Sequence, residues 1–486
     1  MRRRNRRLFG LLGYHLHAII IKNVDDEYIL YVENVDSRYI SWLWNVDRMD
    51  SMLKRKATAA LKHWVQTKDK KCLVVQGARQ TGKTYIIERF AEENFEEVLE
   101  INFKEMPSAR EIFAGDLTVD AMVMAMRFRF PEKKIQPGKT LIFLDEIQEC
   151  EEAITSLKFW AIDRRFDVIV SGSLLGIDYK RASSYPVGYV DYLEMHGLDF
   201  EEFLWGMGIS EDMIEALRSF LRTKTTIPEA IHVQMMNYYR LYIAIGGMPE
   251  AVQKYMDTKD FRDVDRVQRN LLQGYLYDIA HYASAEEKVK AEKCYLSLGK
   301  QLLDKENHKF QYKEIEHGAR AQKYYSSIEW LLRADMVHLS RRVTDMRFDL
   351  DDYARDDFFR AYTTDLSLLL AMKDFSLKQR IVENTLTGSS KGGFFECAIA
   401  DALYKNGYAL YFYKNETSTR EIDVIIQKDG EVVPIEIKSG NTRANSLKSL
   451  MKNHEDIHYG YKFIDGNVGV SEENIITLPL YMAAFI

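Results

Sequence analysis

The chain has 486 residues, of which 46% are apolar and 29% charged, a composition that builds several packed cores and excludes a disordered chain. Its net charge of −6 supplies no global basic field, so non-specific attraction to nucleic acid is excluded as an organising property and any such contact has to be local. Cys72, Cys150, Cys294 and Cys397 form no Cys-x-x-Cys pair and read as buried thiols in a reducing compartment; no apolar run reaches the length of a membrane span, so the expected setting is the cytoplasm without membrane contact.

In chain order, residues 1–51 read as an extension outside the core. Arg2, Arg3, Arg4, Arg6 and Arg7 precede a mixed apolar stretch with no small-residue cleavage site, unlike a signal peptide. Met49 or Met52 would begin a natural helix over 53–67, so an over-called start is one reading of this extension. Residues 52–205 then alternate strand and helix patterns, with strands expected at 73–76, 98–103, 141–145, 167–171 and 189–195. This rhythm predicts an α/β domain on a parallel sheet with right-handed crossovers.

Between the first strand and the next helix stands Gly77-Ala78-Arg79-Gln80-Thr81-Gly82-Lys83-Thr84, the G-x-x-x-x-G-K-[ST] pattern of a phosphate loop. Glycines let the backbone wrap an anion, the loop N–H groups and helix N-terminus hold phosphates, Lys83 neutralises them and the Thr84 hydroxyl ligates Mg²⁺. The third strand ends in Asp145 and Glu146, at the sheet edge where a parallel sheet presents its ligand. Asp145 is the candidate Mg²⁺ carboxylate and Glu146, with Lys83, the candidate catalytic group, placed to polarise an attacking water. The fourth strand runs into Ser171-Gly172-Ser173, where Ser171 and Ser173 are candidates to sense the γ-phosphate. ATP and Mg²⁺ are the expected cofactors.

Together with Leu144-Asp145-Glu146-Ile147-Gln148, Ser171-Gly172-Ser173-Leu174-Leu175-Gly176, Pro186-Val187-Gly188 and Leu198-Asp199-Phe200-Glu201-Glu202-Phe203, the phosphate loop resembles the AAA-type ATPases of bacteria and archaea that carry a C-terminal DUF4143 region. The resemblance runs from about residue 52 to the C-terminus and implies a P-loop NTPase core with strand order 5-1-4-3-2. Many relatives carry a basic residue after the Pro-Val-Gly step, where this chain has Tyr189. Lys180, Arg181, Arg164 and Arg165 are the candidates for a cis-acting arginine or its equivalent, and a neighbouring subunit of a homo-oligomer is the other source.

Residues 206–385 turn helical. Residues 239–244 followed by Gly246-Gly247-Met248-Pro249 predict a helix stop and tight turn, and this step matches the opening of the family's C-terminal region. Helices at 291–305, 312–318 and 323–333 followed by a strand at 336–339 give the layout of a winged helix. Between 311 and 343 the bases Lys313, Arg320, Lys323, Arg333, Arg341 and Arg342 only slightly outnumber the acids Glu314, Glu316, Glu329 and Asp335. Packing between domains therefore competes with DNA reading as the role of this segment.

The Gly/Ser run 387–393 predicts a flexible joint, after which residues 386–486 are expected to form an α/β domain of their own. A helix over 394–404 carries Glu396, and strands at 421–427 and 431–438 flank Asp429-Gly430, a two-residue hairpin signal. A turn centred there pairs 428 with 431 and places Asp423 opposite Glu436, two carboxylates whose repulsion a cation would relieve. Lys438 shares their face because strand side chains alternate. Glu396, Asp423, Glu436 and Lys438 resemble the PD-(D/E)xK nucleases, a resemblance that implies Mg²⁺ held by the carboxylates and water activated by the lysine. Ile422 stands where that motif has proline. The expected function is an ATP-binding protein, an Mg²⁺-dependent ATPase whose nucleotide state controls a nuclease-like domain acting on DNA or RNA. The alternative is an ATP-gated switch toward a protein partner, with an inert nuclease-like domain.

Overall fold

The computed structural model describes residues 19–24, 27–32, 53–172, 186–303, 309–415, 421–438, 440, 444–454, 456–471 and 474–486. The chain divides into two compact units at Leu53 and Lys54. In the first, β1 (Ile19–Val24) and β2 (Glu27–Val32) form an antiparallel hairpin; apart from Leu53, the rest of that unit lies outside the described residues.

The second unit opens with α1 (Lys56–Gln66) and an α/β layer: β3 (Cys72–Gln76), α2 (Lys83–Asn94), β4 (Glu97–Asn102), α3 (Val119–Arg129), β5 (Thr140–Asp145), α4 (Glu151–Asp163), β6 (Asp167–Gly172), β7 (Val190–Glu194) and α5 (Phe200–Gly206). All five strands are parallel and lie in the order β4-β5-β6-β3-β7, which is the expected 5-1-4-3-2 read from the other edge. Alternation along the strands separates two cores. Val74, Ile142, Leu144, Val168 and Val170 pack against Met122, Leu157 and Trp160 on one face. Leu73, Val75, Leu141, Phe143 and Ile169 pack against Ile86, Ile87 and Phe90 on the other. β3, β5 and β6, buried on both faces, read as near-continuous apolar runs, the reason they were visible in the sequence, while the edge strands β4 and β7 alternate in burial.

A helical layer follows: α6 (Glu211–Thr223), α7 (Glu229–Ile245), α8 (Pro249–Thr258), α9 (Phe261–Tyr282), α10 (Lys288–Gln301) and α11 (Ala321–Arg333). Then come β8 (Val337–Val343), β9 (Ala354–Thr363), α12 (Leu366–Ala371), α13 (Ser376–Val382), α14 (Gly388–Lys405), β10 (Leu410–Lys414), β11 (Glu421–Lys428), β12 (Glu431–Ile437), α15 (Asn445–Asn453), β13 (Gly460–Ile464), β14 (Gly469–Val470) and β15 (Ile475–Pro479). The last eight strands make one mixed sheet in the order β14-β15-β13-β12-β11-β10-β8-β9.

This sheet departs from expectation in two places. The segment read as the second helix of a winged helix holds a single 3-10 turn, Tyr312–Glu314, and the strand after α11 is not a free wing, because β8 pairs with β9 on one side and in parallel with β10 on the other. The Gly/Ser run read as a flexible joint lies at the start of α14. Of its glycines, Gly393 serves close packing: a Cβ there would stand 2.7 Å from the Leu302 carbonyl oxygen. Among the described residues no helix is long and apolar enough to cross a membrane, and all four cysteines are free and buried.

Candidate nucleotide site

The phosphate loop leaves β3 at the carboxyl edge of the parallel sheet and closes into α2. Gly77 has φ 144°, and a Cβ there would lie 2.1 Å from the Met195 carbonyl oxygen, so the cradle is built against the end of β7 and admits only glycine. Gly82, at φ 87°, caps α2, and the buried Thr81 hydroxyl donates to the Ala78 carbonyl at 3.0 Å. The Lys83 ammonium donates to the loop's own Gly77 and Ala78 carbonyls at 3.0 and 2.8 Å. Burial pushes its pKa down to about 8, against the raising effect of Glu146, Asp335 and Asp145.

Asp145 ends β5 beside this loop. Its Oδ2 accepts from Thr84 Oγ1 at 3.2 Å and from Asn102 Nδ2 at 2.9 Å, while Oδ1 accepts from Ser171 Oγ. Burial raises its pKa, and the hydrogen bonds from Ser171 and Thr84 oppose that shift. Glu146 follows in the left-handed region at φ 52°, a conformation uncommon for a side-chain-bearing residue, and its carboxylate accepts from Gln148 Nε2. Thr84 and Ser171 thus meet on Asp145, with Lys83 and Glu146 adjacent to them in the chain. Ser173, Lys180 and Arg181 lie outside the described residues. Arg164 and Arg165 precede β6, at the amino edge of the sheet and away from the loop, where Arg164 pairs with Asp69 at 3.0 Å and Arg165 with Asp163 and Asp120 at 2.8 and 2.7 Å.

Several residues around the loop escaped the sequence reading. Arg55 donates to the Thr81 carbonyl at 2.9 Å, to the His196 carbonyl at 2.6 Å and to Glu202 at 3.1 Å. Glu202 and Asp199 form the capping box of α5, so the Asp-Phe-Glu-Glu motif anchors an arginine that touches the phosphate loop. Arg79 pairs with Asp278, its guanidinium reaches the Tyr282 hydroxyl at 3.2 Å, and the Tyr275 hydroxyl donates to its carbonyl at 3.1 Å; all three partners lie on α9. Asn102 was legible in principle, since it ends β4 in register with Asp145. Asp335, between α11 and β8, is 5% exposed and receives a hydrogen bond from the Tyr404 hydroxyl at 3.0 Å.

In the C-terminal sheet, the hairpin has the expected register. Lys428 pairs with Glu431 and Val424 with Ile435, and Asp429 and Gly430 both have positive φ, as a type I′ turn requires. Continuing the ladder by one residue sets Asp423 opposite Glu436. Asp423 Oδ2 accepts from the Ile437 N–H at 2.7 Å, and Glu436 pairs with Lys438 at 2.7 Å and accepts from the Leu447 N–H at 3.3 Å. Glu396 takes a different partner: its Oε1 accepts from Arg360 at 2.8 Å and from the Tyr362 hydroxyl at 3.0 Å. Arg360, on β9, also pairs with Glu421 and donates to the Asp423 carbonyl at 2.9 Å. Burial lowers its pKa and the neighbouring carboxylates, Glu396 foremost, raise it further, for a net rise. A guanidinium therefore stands among these carboxylates. Among the described residues, no three His, Cys, Asp or Glu side chains are grouped as a metal ion requires.

No curated protein matches the sequence. Solved structures similar to the chain include the Aeropyrum pernix ORC1 protein in complex with DNA, 12% identical over 68% of this chain and 91% of that one, with a TM-score of 0.25. They also include the Thermotoga maritima RuvB Holliday junction branch migration motor, 13% identical over 59% and 89% with a TM-score of 0.28, and AMPPCP-bound DnaA from Aquifex aeolicus, 12% identical over 56% and 85% with a TM-score of 0.26. Residues 236–379 match a domain of unknown function, DUF8612, and residues 391–482 another, DUF4143, so the Gly246–Pro249 turn falls in the former rather than at the opening of the latter. Residues 69–204, which hold the phosphate loop and the acidic strand, match the AAA domain model AAA_14.

Proposed function

We propose that the protein is an ATP-binding, Mg²⁺-dependent ATPase that works as a nucleotide-driven switch, its C-terminal sheet responding to the state of the phosphate loop. The observation that carries this reading is the convergence of Lys83, Thr84, Asp145 and Glu146 at the carboxyl edge of the parallel sheet, on a loop whose Gly77 packs too close to the Met195 carbonyl to admit a Cβ. These residues fit a magnesium nucleotide. The loop N–H groups and Lys83 would hold the phosphates, and Thr84 with Asp145 would hold the metal, whose chemistry is neutralisation of charge on the phosphoryl oxygens. Lys83 has to leave the Gly77 and Ala78 carbonyls to do so, a short swing within the loop. Glu146 Oε2, already held by Gln148, is the acceptor for a water proton. Asn102 and Ser171 fix the Asp145 carboxylate so that Thr84 and the metal meet it in one orientation.

The C-terminal sheet favours the switch over a nuclease. Arg360 neutralises Glu396 and Glu421 and ties down the Asp423 backbone, so the guanidinium already does the charge compensation a metal would do in a phosphodiesterase centre. The nuclease reading rests on the hairpin register and the Glu436–Lys438 pair. ATP turnover and oligonucleotide cleavage measured on one preparation separate the two. Glu146→Gln is expected to keep ATP binding and lower kcat by about 10²–10⁴-fold, Lys83→Ala to lose binding, and DNA and RNA oligonucleotides to survive Mg²⁺ or Mn²⁺ intact. Turnover indifferent to Glu146→Gln would sink the hydrolytic assignment, and cleavage lost in Asp423→Ala would establish the nuclease instead.

A further inference from the structure

The first half of the phosphate loop belongs to no strand or helix, and a helix from far along the chain takes hold of it. β3 ends at Gln76 and α2 begins at Lys83; between them Gln80 stands in the left-handed region at φ 63°, a conformation that a side-chain-bearing residue keeps where its surroundings fix it. Those surroundings include the carboxyl-terminal half of α9. The Tyr275 hydroxyl donates to the Arg79 carbonyl at 3.1 Å. The Arg79 guanidinium pairs with Asp278, donates to the Tyr282 hydroxyl at 3.2 Å and lies 5.4 Å from the centre of the Tyr282 ring. A Cβ on Gly274 would stand 3.7 Å from Gln80 Nε2. Residues 274, 275, 278 and 282 share one helix face, so the loop rests on a surface. Asp278 and Tyr275 are buried, and the Tyr275 ring stacks on Tyr295 of α10.

The other half of α9 is anchored elsewhere. Gln268 donates to the Ala244 and Ile245 carbonyls at the end of α7, at 3.3 and 2.7 Å. Asp265 pairs with Lys378 of α13, and Arg269 donates to the Lys373 carbonyl at 3.1 Å. A helix of 22 residues, about 33 Å long, thus joins α7 and α13 to the phosphate loop. An arginine in such a loop could instead serve a phosphate directly. Here its charge is matched by a buried carboxylate, and swinging it away would strand that carboxylate without a cation.

We propose that Arg79 is a positioning residue through which α9 sets the shape of the phosphate loop, and with it the affinity for nucleotide. The proposal rests on the ATP-binding reading above and names where the helical layer joins that site. Lys83 and the loop N–H groups meet the phosphates, while Arg79 keeps the backbone that carries them in place. By linkage, bound nucleotide strengthens the hold of the loop on α9 by the same factor.

Equilibrium binding of ATP and ADP to the full chain, with Mg²⁺-ATP turnover on the same preparations, tests this in wild type, Tyr275→Phe, Asp278→Asn, Arg79→Met and the double variant Arg79→Met/Asp278→Asn. Tyr275→Phe removes one hydroxyl and keeps the ring stack, so it tests the grip even where loss of the ion pair impairs folding. Each single variant is expected to bind ATP and ADP about tenfold more weakly, with kcat at saturating ATP within about twofold of wild type, the pattern of lost uniform binding. The double variant is expected to bind no more weakly than Arg79→Met, because Asp278 acts through Arg79. Wild-type affinity in Tyr275→Phe and Asp278→Asn, even with a lowered urea midpoint, would reduce the contact to a structural one and overturn the positioning role while ATP binding by the wild type stands. A fall in kcat at unchanged affinity in Arg79→Met would overturn it as well, since the guanidinium would then act in the transition state. If the wild type itself bound no ATP, the ATP-binding reading would fall and the positioning role with it.

Discussion

Replacing Arg360 by methionine tests how the carboxylates of the C-terminal sheet are compensated. The arginine side chain is 6% exposed and pairs with Glu396, 12% exposed, at 2.8 Å and with Glu421, 18% exposed; it also donates to the Asp423 carbonyl. Methionine keeps most of the aliphatic length but leaves Glu396 without a cation and Glu421 with Lys414 alone, at 3.5 Å. Breaking a buried pair by removing one partner costs about 3–5 kcal/mol, a large part of the 5–15 kcal/mol that typically separates folded from unfolded. Urea unfolding followed by circular dichroism reads this directly as a fall in midpoint at constant slope. The double variant Arg360→Met/Glu396→Gln removes one of the stranded charges and is expected to regain at least about 1 kcal/mol, because a neutral amide costs less to bury than a carboxylate. A loss below about 1 kcal/mol in the single variant, or a double variant no more stable than the single, would refute the view that the guanidinium holds these carboxylates.

Two further outcomes follow from the same geometry. His338 and His196 are held neutral by burial, their pKa values pushed down to about 3 and about 4 from 6.5; the unfolded chain binds protons there below pH 6.5 and the folded chain does not, so their contribution to stability is complete above that pH and is lost as the pH falls. Each histidine contributes a slope of about 1.4 kcal/mol per pH unit, and His338→Phe should reduce the loss of stability between pH 6.5 and 5.5 by about half to one such step; urea midpoints with the same pH dependence in both proteins would contradict it. Gly77→Ala places a methyl 2.1 Å from the Met195 carbonyl oxygen at φ 144° and is expected to cost at least about 2 kcal/mol of stability together with nucleotide binding, while a variant that still bound ATP normally would show that the cradle has room the geometry denies.

What was legible in the sequence was local. The phosphate loop, the apolar strands and Asp145-Glu146 announce themselves because each is a short run whose chemistry and period are contained within it, and Asp429-Gly430 fixed a register that carried Asp423 opposite Glu436. The residues that decide how the sites are compensated are single charges brought in from far along the chain. Arg360 meets Glu396 across 36 positions, Arg55 meets Glu202 across 147, and Arg79 of the phosphate loop meets Asp278 across 199. No period marks such a residue, since one charged side chain is ordinarily a solvated one. The glycine run before Phe394 misled for a related reason: glycine reports backbone freedom and close approach with the same letter, and only the Leu302 carbonyl beside Gly393 distinguishes them.

The pairing of β8 with β10 also bears on how such chains can be rearranged. The segments 236–379 and 391–482 match separate domain models, yet the first contributes two strands to the sheet of the second. A recombination junction placed between them would leave β10 with an open flank on one product and a two-stranded ribbon without a sheet on the other, each inviting adhesion to foreign strands. A transplantable cassette would have to begin upstream of β8, and it would then carry the Asp335 turn with it. Any exchange of C-terminal sheets between chains of this layout therefore also exchanges the strands that the preceding segment lends to it.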